Sequence, residues 1–265
     1  MAEKGVTRRS LFQSTAAGAG LALAGSLTGC ESMPSALGGG KIYKNCDFYG
    51  SDQAFQGDQA KQAYFAMMAR FDYPAYDKLK TDEFWVCDFL QRDFEKLGMG
   101  GIFWINEHNT YGASGAKAYT GDFKDKLFGY LGHEIYLLPG QMLPEHHHIA
   151  TKDGYGPKME AWHVRYGTVD YFGEYKAADG DETLIADMPA DQRPWGFGED
   201  WFKCKYVASR NAGEMYKLND PVSWHFQRAG AEGAIVTEYA TYHNHVAFSK
   251  PDMKFDNSKG KTAST

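Results

Sequence analysis

Pro144-Glu145-His146-His147-His148, followed by Glu160 within Lys158-Met159-Glu160-Ala161-Trp162 and by an isolated His225, is the stretch on which the fold of this chain turns. On an extended strand side chains alternate between faces, so His146 and His148 point one way and His147 the other. A glutamate on a neighbouring strand completes the cluster. Three imidazoles and one carboxylate suit zinc, iron, manganese, cobalt or nickel better than calcium, which prefers oxygen throughout. The expectation is a metal site inside β-structure.

A bare histidine triplet is equally the mark of a solvated loop or of adventitious metal binding. Its company decides. His146-x-His148, then Glu160 and Gly167, resembles the first signature of the cupin barrels, and His225 stands where their second signature supplies a last histidine. The spacer between His148 and Glu160 is longer than in typical cupins.

Period two extends the reading along the strands. The face of His146 continues through His148 and Ala150 to Lys152, and Glu160 shares its face with Trp162, Val164 and Tyr166. A carboxyl group among large apolar side chains must be paired, ligated or neutral. Glu238 lies on a row of small residues, Ala234, Val236 and Ala240, which looks inward; a solvated place at a barrel mouth is the other reading of that position.

Upstream, 58–71 (DQAKQAYFAMMARF) and 88–97 (DFLQRDFEKL) carry apolar residues at helical spacing, the second with Gly98 as a left-handed stop. The pattern then turns to that of strands at 102–105, 134–138, 159–166, 168–175, 202–208, 234–240 and 246–248. Short strands without intervening helices indicate a sandwich or barrel, so the fold class is mainly β, with N-terminal helices. The glycine-rich 112–121 follows no clear strand and opens no helix, which argues against a nucleotide loop.

With 265 residues, 43% hydrophobic and 15% aromatic, the chain can bury one substantial core. Its net charge is -6 and no Lys/Arg cluster is interleaved with aromatics, which excludes a nucleic-acid partner from the expectations. Cys46, Cys87 and Cys204 have no metal-type spacing, and Cys87, in Phe84-Trp85-Val86-Cys87, reads as a buried thiol.

Residues 1–30 read as an address. Thr7-Arg8-Arg9-Ser10-Leu11-Phe12 sets twin arginines before an apolar Ala/Gly-rich run, the pattern of a twin-arginine export signal. The run ends in Leu27-Thr28-Gly29-Cys30, a lipobox-like tetrapeptide in which Cys30 would carry acyl chains. The expected protein is periplasmic or a membrane-anchored lipoprotein, touching the membrane only through that anchor. Residues 31–42 form a tether, 43–257 a single domain and 258–265 a disordered tail.

Taken together these residues resemble the D-lyxose isomerase family of metal-dependent cupin sugar isomerases. The resemblance rests on 88–98 with the strand through Asn106, on Gly140-Gln141-Met142-Leu143-Pro144-Glu145-His146-His147-His148 with Lys152 and Glu160, and on Leu218-Asn219-Asp220-Pro221-Val222-Ser223-Trp224-His225-Phe226 leading to Glu238. It implies a cupin jelly-roll barrel, with His146, His148, Glu160 and His225 as ligands of one divalent ion, manganese by preference. It also implies Lys152 and Glu238 as substrate-contacting or acid/base groups. The implied reaction is aldose–ketose isomerisation of a free monosaccharide, D-lyxose to D-xylulose or D-mannose to D-fructose, and cupins commonly dimerise through edge strands, so a homodimer is expected. This chain departs from the family at 153–157, where an Arg-Gly-Gly-Gly segment is replaced, in an insertion at 179–198, and in its export signal. A cupin oxygenase or a noncatalytic, lipid-anchored sugar-binding cupin would use the same ligand set.

Overall fold

The structure is a computed structural model that describes residues 41–107, 129–149, 157–176, 180–242 and 245–255. The expected export signal with Cys30, most of the expected tether, the glycine-rich 112–121, Lys152 and the expected disordered tail lie outside the described residues.

One 14-residue helix, α1 (Gly57–Arg70), forms where the spacing predicts it. Ala60, Ala63, Tyr64, Met67 and Met68 fall on its buried face. They pack on Val86, Ile102, Tyr136 and Ile235 of the sheet and on Phe84 and Leu138 at the ends of its strands. Burial of Tyr64, Met67 and Met68 is worth roughly 1.5–3 kcal/mol for each side chain. The Tyr64 hydroxyl donates to Gln141 Oε1 at 2.6 Å, so the polar tip of the ring is satisfied as well.

The rest is β-structure, as expected: β1 (Trp85–Cys87), β2 (Met99–Glu107), β3 (Tyr130–Leu137), β4 (His146–His147), β5 (Glu160–Gly173), β6 (Thr183–Leu184), β7 (Tyr206–Asn211), β8 (Met215–Lys217), β9 (His225–Thr241) and β10 (Ala247–Phe248). All the pairings are antiparallel, in the order β1-β2-β3-β9-β5-β7-β6, with β4 joining β9 to β10 and β8 flanking β5.

The second expected helix, 88–97, does not form. Phe89, Leu90 and Arg92 all adopt positive φ (52°, 58° and 56°), and the segment is a chain of turns with Asp88 Oδ1 accepting the Leu90 N–H at 3.0 Å. The reason lies in two destinations. Phe89 is required in the cluster around the barrel cavity and Phe94 in the cluster under α1, and one helix cannot serve both. Gly98 is also not a left-handed stop; it is glycine because a Cβ there would stand 2.5 Å from the Phe94 ring.

The runs read as 159–166 and 168–175 are one strand, β5, and 234–240 is the second half of β9. The two long strands pair along their whole length and bend together. Register shifts lie between Val164 and Tyr166 and between Gly167 and Val169. At the bend Gly167 (φ 76°) meets Gly233 (φ 85°), and a Cβ on Gly167 would stand 2.0 Å from the Gly233 carbonyl oxygen. Tyr166 is therefore carried off the face of Glu160, Trp162 and Val164 to pack on Phe71 and Tyr73 beside α1. Gly167→Ala is expected to destabilise the protein by about 2–4 kcal/mol, combining a disfavoured φ with a backbone clash. A urea midpoint equal to that of the unmodified protein would remove Gly167 from this role.

Alternation along β3 shows how the sheet serves two cores. Leu131, His133, Ile135 and Leu137 face the cavity side, whereas Glu134, Tyr136 and Leu138 face α1. The charge of Glu134 is met there by Tyr73, Tyr136 and Trp104, all donating to Oε2. With one face under a helix and the other around a cavity, β3 and the second half of β9 are the rigid wall of the site.

Candidate metal centre and proton-transfer wall

His146 enters from β4 and lies opposite His225, the first residue of β9. His148 follows immediately and Glu160 opens β5. All four are buried, and the ligand atoms of the three histidines lie within 4.8 Å of one another. The structure brings together the four residues that the sequence singles out.

Each imidazole is tied by its Nδ1: that of His146 to the Pro144 carbonyl (2.8 Å), of His148 to the His245 carbonyl (3.2 Å) and of His225 to the Ser223 carbonyl (2.9 Å). A carbonyl only accepts, so Nδ1 carries the proton and Nε2 presents a lone pair. That arrangement is the one metal-binding histidines use. Burial, followed by the neighbouring His225, holds His146 well below the ordinary histidine range and so keeps it neutral. Glu160 Oε1 lies 2.9 Å from His225 Nε2 and 3.3 Å from His148 Nε2. Lone pairs facing at that distance inside a protein repel unless a cation stands among them. The donor set therefore fits a divalent ion of the manganese, iron or zinc class.

His147 points away, as alternation requires. Its ring stacks on Trp224 at 3.8 Å, and its Nδ1 donates to the Val222 carbonyl at 3.1 Å. The neighbouring Glu145 is buried too, accepting the backbone N–H groups of Lys203 and Cys204 and thereby fastening the 180–205 segment behind the ligand strand. Cys87 and Cys204 are buried thiols outside any disulfide.

Glu238 stands beside this centre on β9, buried, opposite Trp162 on one side and His133 on the other. It is not a solvated rim residue. Among the described residues the lysine that meets it is Lys158, which the sequence reading does not single out; Lys152 lies outside them. The Lys158 ammonium is buried, pairs with Glu238 Oε1 and lies 3.1 Å from Glu160 Oε2. Period two held the signal, since Lys158 shares a face with Glu160 across one intervening residue. Burial alone would lower the Lys158 pKa, but the carboxylates of Glu160 and Glu238 overcome it and hold the group above its ordinary value. Burial would likewise raise Glu238, and Lys158 with His133 reverses this and holds the carboxyl well below the usual range. At neutral pH the pair is an ammonium beside a carboxylate.

These groups line a cavity of about 250 Å³. Much of the remaining lining is apolar, with Trp85, Phe89, Phe103 and Phe248 among its rings. The volume is just below the roughly 300–1,000 Å³ of drug-sized pockets and suits a small ligand.

The chain is 32% identical to a D-lyxose/D-mannose isomerase of Thermosediminibacter oceani over 157 residues, covering 59% of this chain and 70% of that protein. No protein-family model matches. Among solved structures it is similar to the L-ribose isomerase of Cellulomonas parahominis with L-psicose (TM-score 0.54, 16% identity, 82% of this chain and 98% of that one). It is also similar to the L-ribose isomerase of Acinetobacter sp. DL28 with L-ribose (TM-score 0.51, 16% identity, 81% and 96%).

Proposed function

Because the chain belongs to the D-lyxose isomerase family and has the cupin-type fold of sugar isomerases, we propose that its cavity interconverts a free aldose and its 2-ketose, with D-lyxose and D-xylulose, or D-mannose and D-fructose, as the pairs. The observation that carries this reading is the buried Glu238–Lys158 pair on the wall of a cavity that also holds His146, His148 and Glu160, with His225 beside them. Isomerisation needs one proton moved between adjacent carbons and one between their oxygens. It needs no second substrate.

In this proposal His146, His148, Glu160 and His225 hold a divalent ion, manganese by preference, whose chemistry when bound is that of a Lewis acid toward the sugar oxygens. Glu238, ionised at rest, removes the proton from C2. The C–H electron pair becomes the C1–C2 double bond as the carbonyl electrons of C1 move onto O1. Glu238 then returns its proton to C1, the O2 proton passes to O1, and C2 becomes the carbonyl carbon. Lys158 stays protonated throughout, donating to the oxygen on which negative charge collects. The aromatic wall excludes water from the exchange.

The test is a panel of pentoses and hexoses incubated with manganese-loaded protein and followed for ketose formation. Conversion of D-lyxose or D-mannose is expected. Oxygen uptake without ketose formation would instead mark an oxygenase, and binding without turnover a sugar-binding protein.

A further inference from the structure

Glu238 is held at both oxygens, and the two holds differ in kind. A carboxylate plane turns about a soft, roughly two-fold torsion, so its own rotamer does not fix which lone pairs face the cavity. Lys158 meets Oε1 as a point charge on a flexible stem, which supplies charge but little direction. His133 meets Oε2 with Nδ1 at 3.1 Å. Because an ionised carboxylate only accepts, Nδ1 carries the proton of that hydrogen bond.

His133 cannot turn to do anything else. It lies directly opposite Glu238 in the β3–β9 ladder and is only 5% exposed. Its ring stacks on Phe103 (4.5 Å, 28°) and runs nearly parallel to Trp85 (5.5 Å, 24°). On the remaining edge Nε2 closes on Gly101, where a Cβ would stand 2.7 Å from it. Nε2 is enclosed there and has no hydrogen-bond partner among the described residues. The one directional bond of the ring is spent on Glu238.

We propose that His133 is a positioning residue that fixes the plane of the Glu238 carboxylate, so that one lone-pair direction reaches both C1 and C2. The proposal rests on the reading above that Glu238 carries the carbon-bound proton. Misplacing such a group by about 1 Å can cost on the order of a hundredfold in rate, without loss of substrate binding.

The experiment compares His133→Phe, which keeps a ring and loses the donor, with His133→Asn, whose amide can donate as Nδ1 does. Each is made alone and combined with Glu238→Gln, and kcat, KM, metal content and melting temperature are measured for all. His133→Phe is expected to lower kcat by about ten- to a hundredfold with KM within about threefold and the metal retained. His133→Asn should recover most of that loss. In the Glu238→Gln background neither change should slow the enzyme further, since His133 acts through Glu238. If the Phe ring cannot be accommodated, His133→Leu takes its place. Equal losses in the Phe and Asn variants, or losses that multiply with Glu238→Gln, would reduce His133 to a packing residue. A normal kcat in Glu238→Gln itself would instead overturn the function proposed for Glu238, and this inference with it.

Discussion

Glu238→Gln is expected to keep its metal and to lose about two orders of magnitude or more in kcat, because the amide keeps the shape of the carboxylate but cannot take a proton from carbon. Turnover on the best aldose of the panel is to be measured beside elemental analysis and incorporation of solvent deuterium. Deuterium at C1 of the ketose product from the unmodified protein fits proton transfer through Glu238, whereas turnover without exchange fits a hydride shift between the carbons. The variant also leaves Lys158 and His133 facing a neutral group. Some loss of stability is therefore expected together with the loss of rate, and melting curves separate the two. A fully metallated Glu238→Gln protein with nearly normal turnover would end the proton-transfer role.

The second large effect is expected at the metal centre. His225→Ala should abolish metal binding, since His225 stands opposite His146 and 2.9 Å from Glu160 Oε1. Turnover should fall below detection with it. His148→Ala should weaken binding strongly, but His147→Ala should keep both metal and turnover, because its ring lies on Trp224 outside the cluster. Elemental analysis of the purified variants measures this directly. Equal loss of metal from His147→Ala and His148→Ala would show that the ligand set is wrong. Chelation should also lower the melting temperature, because an ion that binds only the folded chain at a hundred times its Kd stabilises it by about 2.7 kcal/mol.

The cluster of His146, His148, Glu160 and His225 is legible in the sequence because the chemistry is local to the pattern. His146 and His148 share a face by alternation, and a carboxyl group at Glu160 among Trp162 and Val164 had to be ligated or paired. The inward row of Glu238 was legible for the same reason. Lys158 is present on that face as well but is not singled out by the sequence reading, and Lys152, further upstream, lies outside the described residues. His133 left a fainter trace, since the strand was read from 134 and its cavity face begins earlier.

The misread helix at 88–97 shows where pattern fails altogether. Its spacing is helical, but Phe89 and Phe94 belong to different cores, and tertiary packing overrides local preference. Bends are equally hidden. Gly167 and Gly233 announce flexibility one at a time, and only their meeting across the ladder explains why two predicted strands are a single bent one and why Tyr166 changes sides.

The long β5–β9 ladder also governs when the centre can come into being during folding. Glu160 pairs with Ala240 and Gly173 with His225, so every rung joins residues far apart in the chain, and the rungs of β3 with β9 span still more of it. Closing such loops is slow, and topologies rich in them fold on the millisecond-to-second scale. Of the four proposed ligands, His146 and Glu160 sit on strands that meet β9 only after this closure, and His148 directly follows the first of them. The candidate ion site is therefore expected to form late, and a cation captured there to seal a barrel already built instead of nucleating one.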